Sequence, residues 1–287
     1  MKRVGIAALV CAIVACMSLV LTGCQSNTYT PAPKEQTISD SALGKPGTLR
    51  VGVNAASAPL AGQASSSARI VGIDVDVAAY LADQLGCKVS IVDVGNDPAT
   101  ALENGSVDVV LGVDSSDEES TYWHSDPYLQ TGVALFGMGS ESEVPTADSS
   151  PQIAAQASSK SSWRVTNLYG DDALLAQEDL KSAFVAMADG SVRYVAADAV
   201  IGTFVVHQNG YDSKIIALLQ DPSGYCAAVA SSNKEMQKAI ASAMSTMTSG
   251  GMINIIESKW LGSSLNLSET TVVKSGSSDA KSDKKSS

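Results

Sequence analysis

What the 287-residue sequence has little of narrows its chemistry first. It holds two histidines, His124 and His207, and neither sits at metal-ligand spacing from the other or from a cysteine, so no metal site is read. No Gly-x-Ser-x-Gly pattern occurs, which removes one common nucleophile signature. Cations are few, with 19 Lys plus Arg against 30 Asp plus Glu and a formal charge of −11, and residues 89–159 contain none at all. Phosphate binding needs clustered cations, so nucleic acid is not a partner. Of five cysteines, three fall in the N-terminal segment. Cys87 and Cys226 remain, each in or at the end of an apolar stretch. They read as two buried thiols, with a disulfide as the alternative in an oxidising compartment.

Hydrophobic residues are 45% of the chain, enough for a sizeable core. Lys2 and Arg3 precede an apolar run over residues 4–20 that is short for a stable membrane span and ends in Leu21-Thr22-Gly23-Cys24. Charged start, apolar middle and small residues at the end make a secretory leader over residues 1–23. The LTGC ending resembles the bacterial lipobox, whose cysteine is acylated and becomes the first mature residue. The other reading is a plain signal or anchor helix in which Cys24 is incidental. Two or three acyl chains on Cys24 give stable membrane attachment where one does not. Residues 24–46 are rich in Ser, Thr, Pro and charge and read as a flexible tether.

Leu49, Val51 and Val53 alternate with Arg50 and Gly52, the period of a strand with one covered face. Asp74 and Asp76 sit where a helix N-terminus favours negative charge, and Val77, Leu81 and Leu85 follow on one helical face before Gly86. Residues 88–94 form the next strand. Asp97-Pro98 opens a short helix, and residues 107–111 suit a buried strand. Strands separated by helices imply a parallel sheet that binds ligands beyond the carboxyl ends of its strands. Farther on, residues 133–136, 194–197 and 215–218 are strand candidates. Ser232 and Glu235 have capping-box spacing, and Met236, Ile240 and Met244 continue as a core stripe to Gly250-Gly251. The C-terminal segment is dominated by Ser, Asp and Lys.

The order GTLRVGV, GIDVDVAAYLADQLG, ALENGSVDVVLG, SDPY is similar to that of the bacterial extracellular solute-binding proteins of the polar amino-acid type. Residues 153–159 (IAAQASS), residues 188–198 (ADGSVRYVAAD) and Lys259-Trp260-Leu261-Gly262 extend the resemblance to residue 262. It implies the α/β, two-lobed type II periplasmic binding protein fold, each lobe a doubly wound sheet flanked by helices, with two crossing strands as the hinge. Lobe one would comprise residues 47–131 and 222–266, lobe two residues 132–221, and residues 267–287 a disordered tail.

The resemblance also implies a ligand set: an arginine from lobe one on the ligand carboxylate, an aspartate from lobe two on its ammonium, hydroxyls and amides at helix N-termini, and aromatic walls. Asp198 falls at the ammonium position, with a solvated carboxylate at a strand end as the plainer reading. Ser158 and Ser159 keep the hydroxyls, though a plain helix cap would look the same. The lobe-one arginine is gone, and Asp114 and the residues 115–119 (SSDEE) occupy its region. Ser57 and Gly95 stand where aromatic walls are usual, and Leu60 replaces another ring. The ligand-binding set expected is therefore Ser57, Leu60, Gly95, Val113, Asp114, Ser115, Glu118, Ser158, Ser159 and Asp198. Such an acidic cleft fits cationic or neutral amine-bearing solutes better than anions, unless the acidic run is simply a solvated loop.

The function implied is a monomeric, lipid-anchored solute-binding protein without cofactor, delivering a small polar solute to the transmembrane permease subunits of an ABC importer. A binding module that senses without transport is the alternative. The same fold hosts periplasmic dehydratases, but no catalytic constellation accompanies His124 or His207.

Overall fold

The computed structural model describes residues 34–116, 121–141 and 143–274. The expected leader, Cys24, Glu118 and everything beyond residue 274 lie outside the described residues. Strand β1 (Thr48–Val53) buries Leu49, Val51 and Val53 completely, on the face their alternation selects. Each contributes ~1.5–3 kcal/mol by leaving water. Strands β2 (Ala56–Ser57), β3 (Ala61–Gln63) and β4 (Ile70–Val71) make a separate three-stranded sheet. Helix α1 (Ile73–Gln84) buries Val77 and Leu81, and the chain turns at Gly86 with φ +67°. A side chain there would meet the Glu35 carbonyl at 2.4 Å, so both conformation and space require glycine.

Strand β5 (Lys88–Asp93) leads to the short helix α2 (Pro98–Glu103), whose Asp97 cap accepts a hydrogen bond from the Thr100 amide. Strands β6 (Val109–Asp114), β7 (Trp123–His124) and β8 (Leu129–Thr131) follow. Strand β9 (Val133–Met138) then enters a second sheet. There β10 (Ile153–Gln156), α3 (Lys160–Tyr169), β11 (Leu174–Gln177), α4 (Leu180–Ala188), β12 (Tyr194–Asp198), α5 (Ala199–Asn209) and β13 (Ser213–Leu218) alternate. Strand β14 (Ser223–Val229) returns to the first sheet, and α6 (Lys234–Ser249) and α7 (Met252–Leu261) pack against it.

The first sheet has the order β5-β1-β6-β14-β7, with β8 also on β14, and the second β11-β10-β12-β9-β13. Within each, the strands joined through helices run parallel, whereas the crossing strands β14 and β9 run antiparallel to their neighbours. The chain thus has the two-lobed type II periplasmic binding protein architecture. Helix α5 ties the lobes together. Its Val200 and Phe204 pack into the core of lobe one. The Lys259-Trp260 pair plays a structural part, since the indole Nε1 and the ammonium both donate to Asp76 Oδ2, at 2.7 and 2.6 Å, pinning α7 to α1.

Four sequence expectations are corrected. Residues 34–46 are packed rather than loose, because Ile38, Ala42 and Leu43 bury themselves on lobe one and Ser39 bonds Glu235 through both its amide and its hydroxyl. Residues 267–273 also leave the expected tail. Leu267 is buried, and Val273 and Thr271 bond Leu218 through the backbone, covering the free edge of β13. Glu235 is thereby occupied, and α6 is capped by Asn233, whose side chain accepts from the Met236 amide, rather than by Ser232. Cys226 is buried and free as read, whereas Cys87, also free, is only partly buried. Among the described residues, no helix is long and apolar enough to cross a membrane.

Candidate functional site

Strands β1, β5 and β6 end side by side, and their carboxyl ends deliver three loops to one place. The result is a cleft of about 260 Å³. Asn54, Ser57 and Leu60 come from the segment after β1, Gly95 and Asn96 from the segment after β5, and Gly112, Val113 and Asp114 from the end of β6. Tyr122 and Tyr225 add aromatic wall, and Ile201 of α5 closes it from lobe two. A larger hollow of about 350 Å³ lies at the opposite, amino end of β12 around Arg193 and Tyr194, away from the convergent loops.

Of the expected ligand residues, the structure brings Ser57, Leu60, Gly95, Val113 and Asp114 together on this cleft. Four others stand apart from its lining. Ser115 is tied to β14, its amide donating to the Gly224 carbonyl at 2.7 Å and its Oγ accepting from the Gly224 amide at 3.0 Å. Ser158 is exposed with φ +57°, and Ser159 caps α3 in a reciprocal capping box with Ser162. Asp198 caps α5: Oδ1 accepts from the Val200 and Ile201 amides at 2.9 and 3.0 Å, while Oδ2 accepts from Thr131 Oγ1 at 2.6 Å and the Tyr225 hydroxyl at 3.4 Å. Four donors already face this carboxylate, one of them the hydroxyl of the cleft residue Tyr225. Burial raises the Asp198 pKa and those hydrogen bonds oppose the rise.

Asp74 forms the floor. It is 1% exposed, the second residue of α1, and its Oδ1 accepts the Tyr128 hydroxyl proton at 2.5 Å. The Tyr128 oxygen in turn accepts from the Gly112 amide at 3.0 Å. Burial pushes the Asp74 pKa up to about 7, against the lowering effect of Tyr128. Tyr225, which lines the same cleft, is raised above its usual value by burial first and then by Asp198, Asp114 and Asp74. The cleft therefore carries two carboxyl groups, Asp74 and Asp114, the first held partly neutral by burial. A cation reaches its rim from lobe two: Lys160 Nζ, at the start of α3, lies 3.8 Å from Asp114 Oδ2. Arg50 is unavailable, because its guanidinium is committed to Asp108 and to the Gly105 and Ser106 carbonyls. Among the described residues no group of three His, Cys, Asp or Glu side chains could hold a metal ion.

Sequence reasoning missed Asp74, Asn54, Asn96, Tyr225, Ile201 and Lys160. Lys160 was findable as the first cation after the cation-free stretch. Asp74 was not, because its burial depends on Tyr128 and Gly112, distant in sequence.

Fold and cleft together define a two-lobed solute-binding protein. The family model for bacterial extracellular solute-binding proteins, family 3, matches residues 49–263, and the chain belongs to that family. This is an extracytoplasmic family of solute-binding proteins rather than of enzymes. The chain is 26% identical over 225 residues to the L-cystine-binding protein TcyJ of Escherichia coli (strain K12), covering 75% of this chain and 83% of that protein. It is similar in structure to the L-cystine solute receptor of Neisseria gonorrhoeae in the unliganded open conformation, with TM-score 0.66, 20% identity and coverage of 76% and 95%. A polar amino acid ABC uptake transporter substrate-binding protein from Streptococcus thermophilus gives TM-score 0.67, 17% identity and coverage of 76% and 87%.

Proposed function

We propose that this protein captures a small, polar, amine-bearing solute between its lobes and hands it to the permease of an ABC importer. The observation that carries the reading is the cleft itself, lined by Asp74 and Asp114, with Lys160 of lobe two 3.8 Å from Asp114. An amino acid presents an ammonium and a carboxylate, and burying either without a partner costs several kcal/mol. Asp114 suits the ammonium and Lys160 the carboxylate, a reversal of which lobe holds which charge. Ser57, Leu60, Gly95 and Val113 shape the wall around the rest. Asp198 acts through Tyr225. The cleft volume lies near the lower end of the ~300–1,000 Å³ usual for small-molecule sites, which suits one compound of amino-acid size rather than a peptide.

A ligand that touches both lobes favours closure by the difference between its open-state and closed-state binding free energies. The name of the Escherichia coli relative supports an amino-acid ligand. Acylation of Cys24 holds the protein, as a monomer, on the outer face of the membrane. Thermal-shift screening of the full chain against amino acids, polyamines, betaines and small peptides tests the reading. A ligand at 100 times its dissociation constant adds ~2.7 kcal/mol, whereas a library without any stabilising amine-bearing compound contradicts it.

A further inference from the structure

We propose that Asp74 is itself a ligand contact, its Oδ2 receiving the ammonium or guanidinium of the bound solute on the floor of the cleft. The inference rests on the solute-binding reading above and names the group that sets its charge preference. Three observations carry it. Tyr128 serves Oδ1, whereas Oδ2 has no hydrogen-bond partner among the described residues. Asp74 and Gly112 both line the cleft. Oδ2 lies 2.6 Å from where a Cβ on Gly112 would stand, so the absent side chain at that position, where φ is +77°, leaves the oxygen open.

An ionised carboxylate buried with one open oxygen is stabilised by any cationic donor that reaches it. A solute amine does so from the cleft without displacing the Tyr128 bond. A neutral carboxyl at the same place offers a weaker partner, so binding is coupled to loss of the Asp74 proton. The other titratable groups on the elements packed around Asp74 are Asp114 and Tyr225 toward the cleft and Tyr128 behind. Asp76, Tyr80 and Asp83 belong to α1, Lys259 and Glu257 to α7, and His124 stands edge-on to Tyr122.

The test is calorimetric titration of the full chain with L-arginine, L-ornithine, L-cystine and, as the amine-free probe, succinate, between pH 5 and 8. The wild type is expected to bind an amine-bearing probe with an affinity that falls up to tenfold per pH unit as the pH drops below about 7. Asp74→Asn, which keeps an acceptor for Tyr128, should weaken that probe at least tenfold at pH 8 and flatten its pH dependence. Gly112→Ala should weaken it as well, while His124→Gln leaves the pH profile unchanged. If the wild type binds an amine-bearing probe and Asp74→Asn binds it equally at every pH, the Asp74 contact is overturned and the solute-binding reading stands. Wild-type affinity that does not vary with pH overturns the contact even if Asp74→Asn fails to fold. Absence of binding by every amine-bearing probe overturns both.

Discussion

Asp74 and Asp198 hold comparable places in the two lobes, each at the start of a helix that follows a strand, and their surroundings treat them in opposite ways. Asp198 is met by two amides, a threonine hydroxyl and a tyrosine hydroxyl. Asp74 is met by one tyrosine and is more deeply buried. A carboxylate with all its acceptor capacity used is a structural clasp, here joining α5 of lobe two to β8 and β14 of lobe one. A carboxylate with an oxygen left over is held at a cost in stability, which a ligand can offset. Position along the chain does not distinguish the two, but the count of donors does.

The largest expected effect that separates them is on folding. Asp198→Ala leaves the Thr131 hydroxyl and two helix amides without their acceptor and should lower stability by about 3 kcal/mol in urea or guanidinium unfolding. A loss under ~1 kcal/mol would break the clasp assignment. Asp74→Asn should go the other way. Its folded pKa near 7 lies above the unfolded value of 3.8, so the native state holds a proton that the unfolded state has released. Stability contributed by that proton is present below about pH 4, falls as pH rises toward 7, and is absent above it. The rise from 3.8 to about 7 corresponds to ~4 kcal/mol at most. The variant should therefore be more stable than wild type by about 2 kcal/mol at pH 8 and show no gain near pH 4, as read by thermal unfolding. Glu257, also pushed up to about 7 by burial, contributes in the same direction and is separated by examining Glu257→Gln beside it.

A sharper comparison uses the hydroxyl donors one at a time. Thr131→Val removes the 2.6 Å bond to Asp198 and should cost about 1 kcal/mol. Tyr225→Phe removes the 3.4 Å contact to Asp198 and the hydroxyl's bond with Thr131, and should cost roughly 0.5–1 kcal/mol, while losing ligand affinity if the ring is held for binding. Smallest of all is the lobe-bridging pair. Lys160→Met should change stability by less than ~0.5 kcal/mol, because Lys160 is 56% and Asp114 37% exposed, yet it should weaken binding of carboxylate-bearing solutes. A stability loss of ~2 kcal/mol in Lys160→Met would mean that the pair holds the lobes together rather than waiting for a ligand.

Much of the fold was legible in the sequence. The alternation in β1, the four-residue spacing of Val77 and Leu81, and the Asp97-Pro98 start are local signals that tertiary packing reinforces. The two ends misled because a few apolar residues, Ile38 and Leu43 at one end and Leu267 at the other, sit among polar neighbours whose composition dominates a sequence window. In the site, Ser57, Leu60, Gly95, Val113 and Asp114 converge because strand ends are predictable from strand positions. The occupancy of Asp198 does not show in the sequence because its partners Thr131 and Tyr225 lie 67 and 27 residues away, and Asp74 shows there only as a charge at a helix N-terminus because its partner Tyr128 is distant too.

The proposed preference of the acidic cleft for amines leads to one decisive comparison. Calorimetry of the full chain at pH 8 with L-cystine and L-arginine on one side and succinate on the other tests it directly. Saturable one-to-one binding of an amine-bearing compound, with no detectable heat from succinate, is the expected result. Succinate binding as tightly as the amino acids, or no binding by any amine-bearing compound, would contradict it.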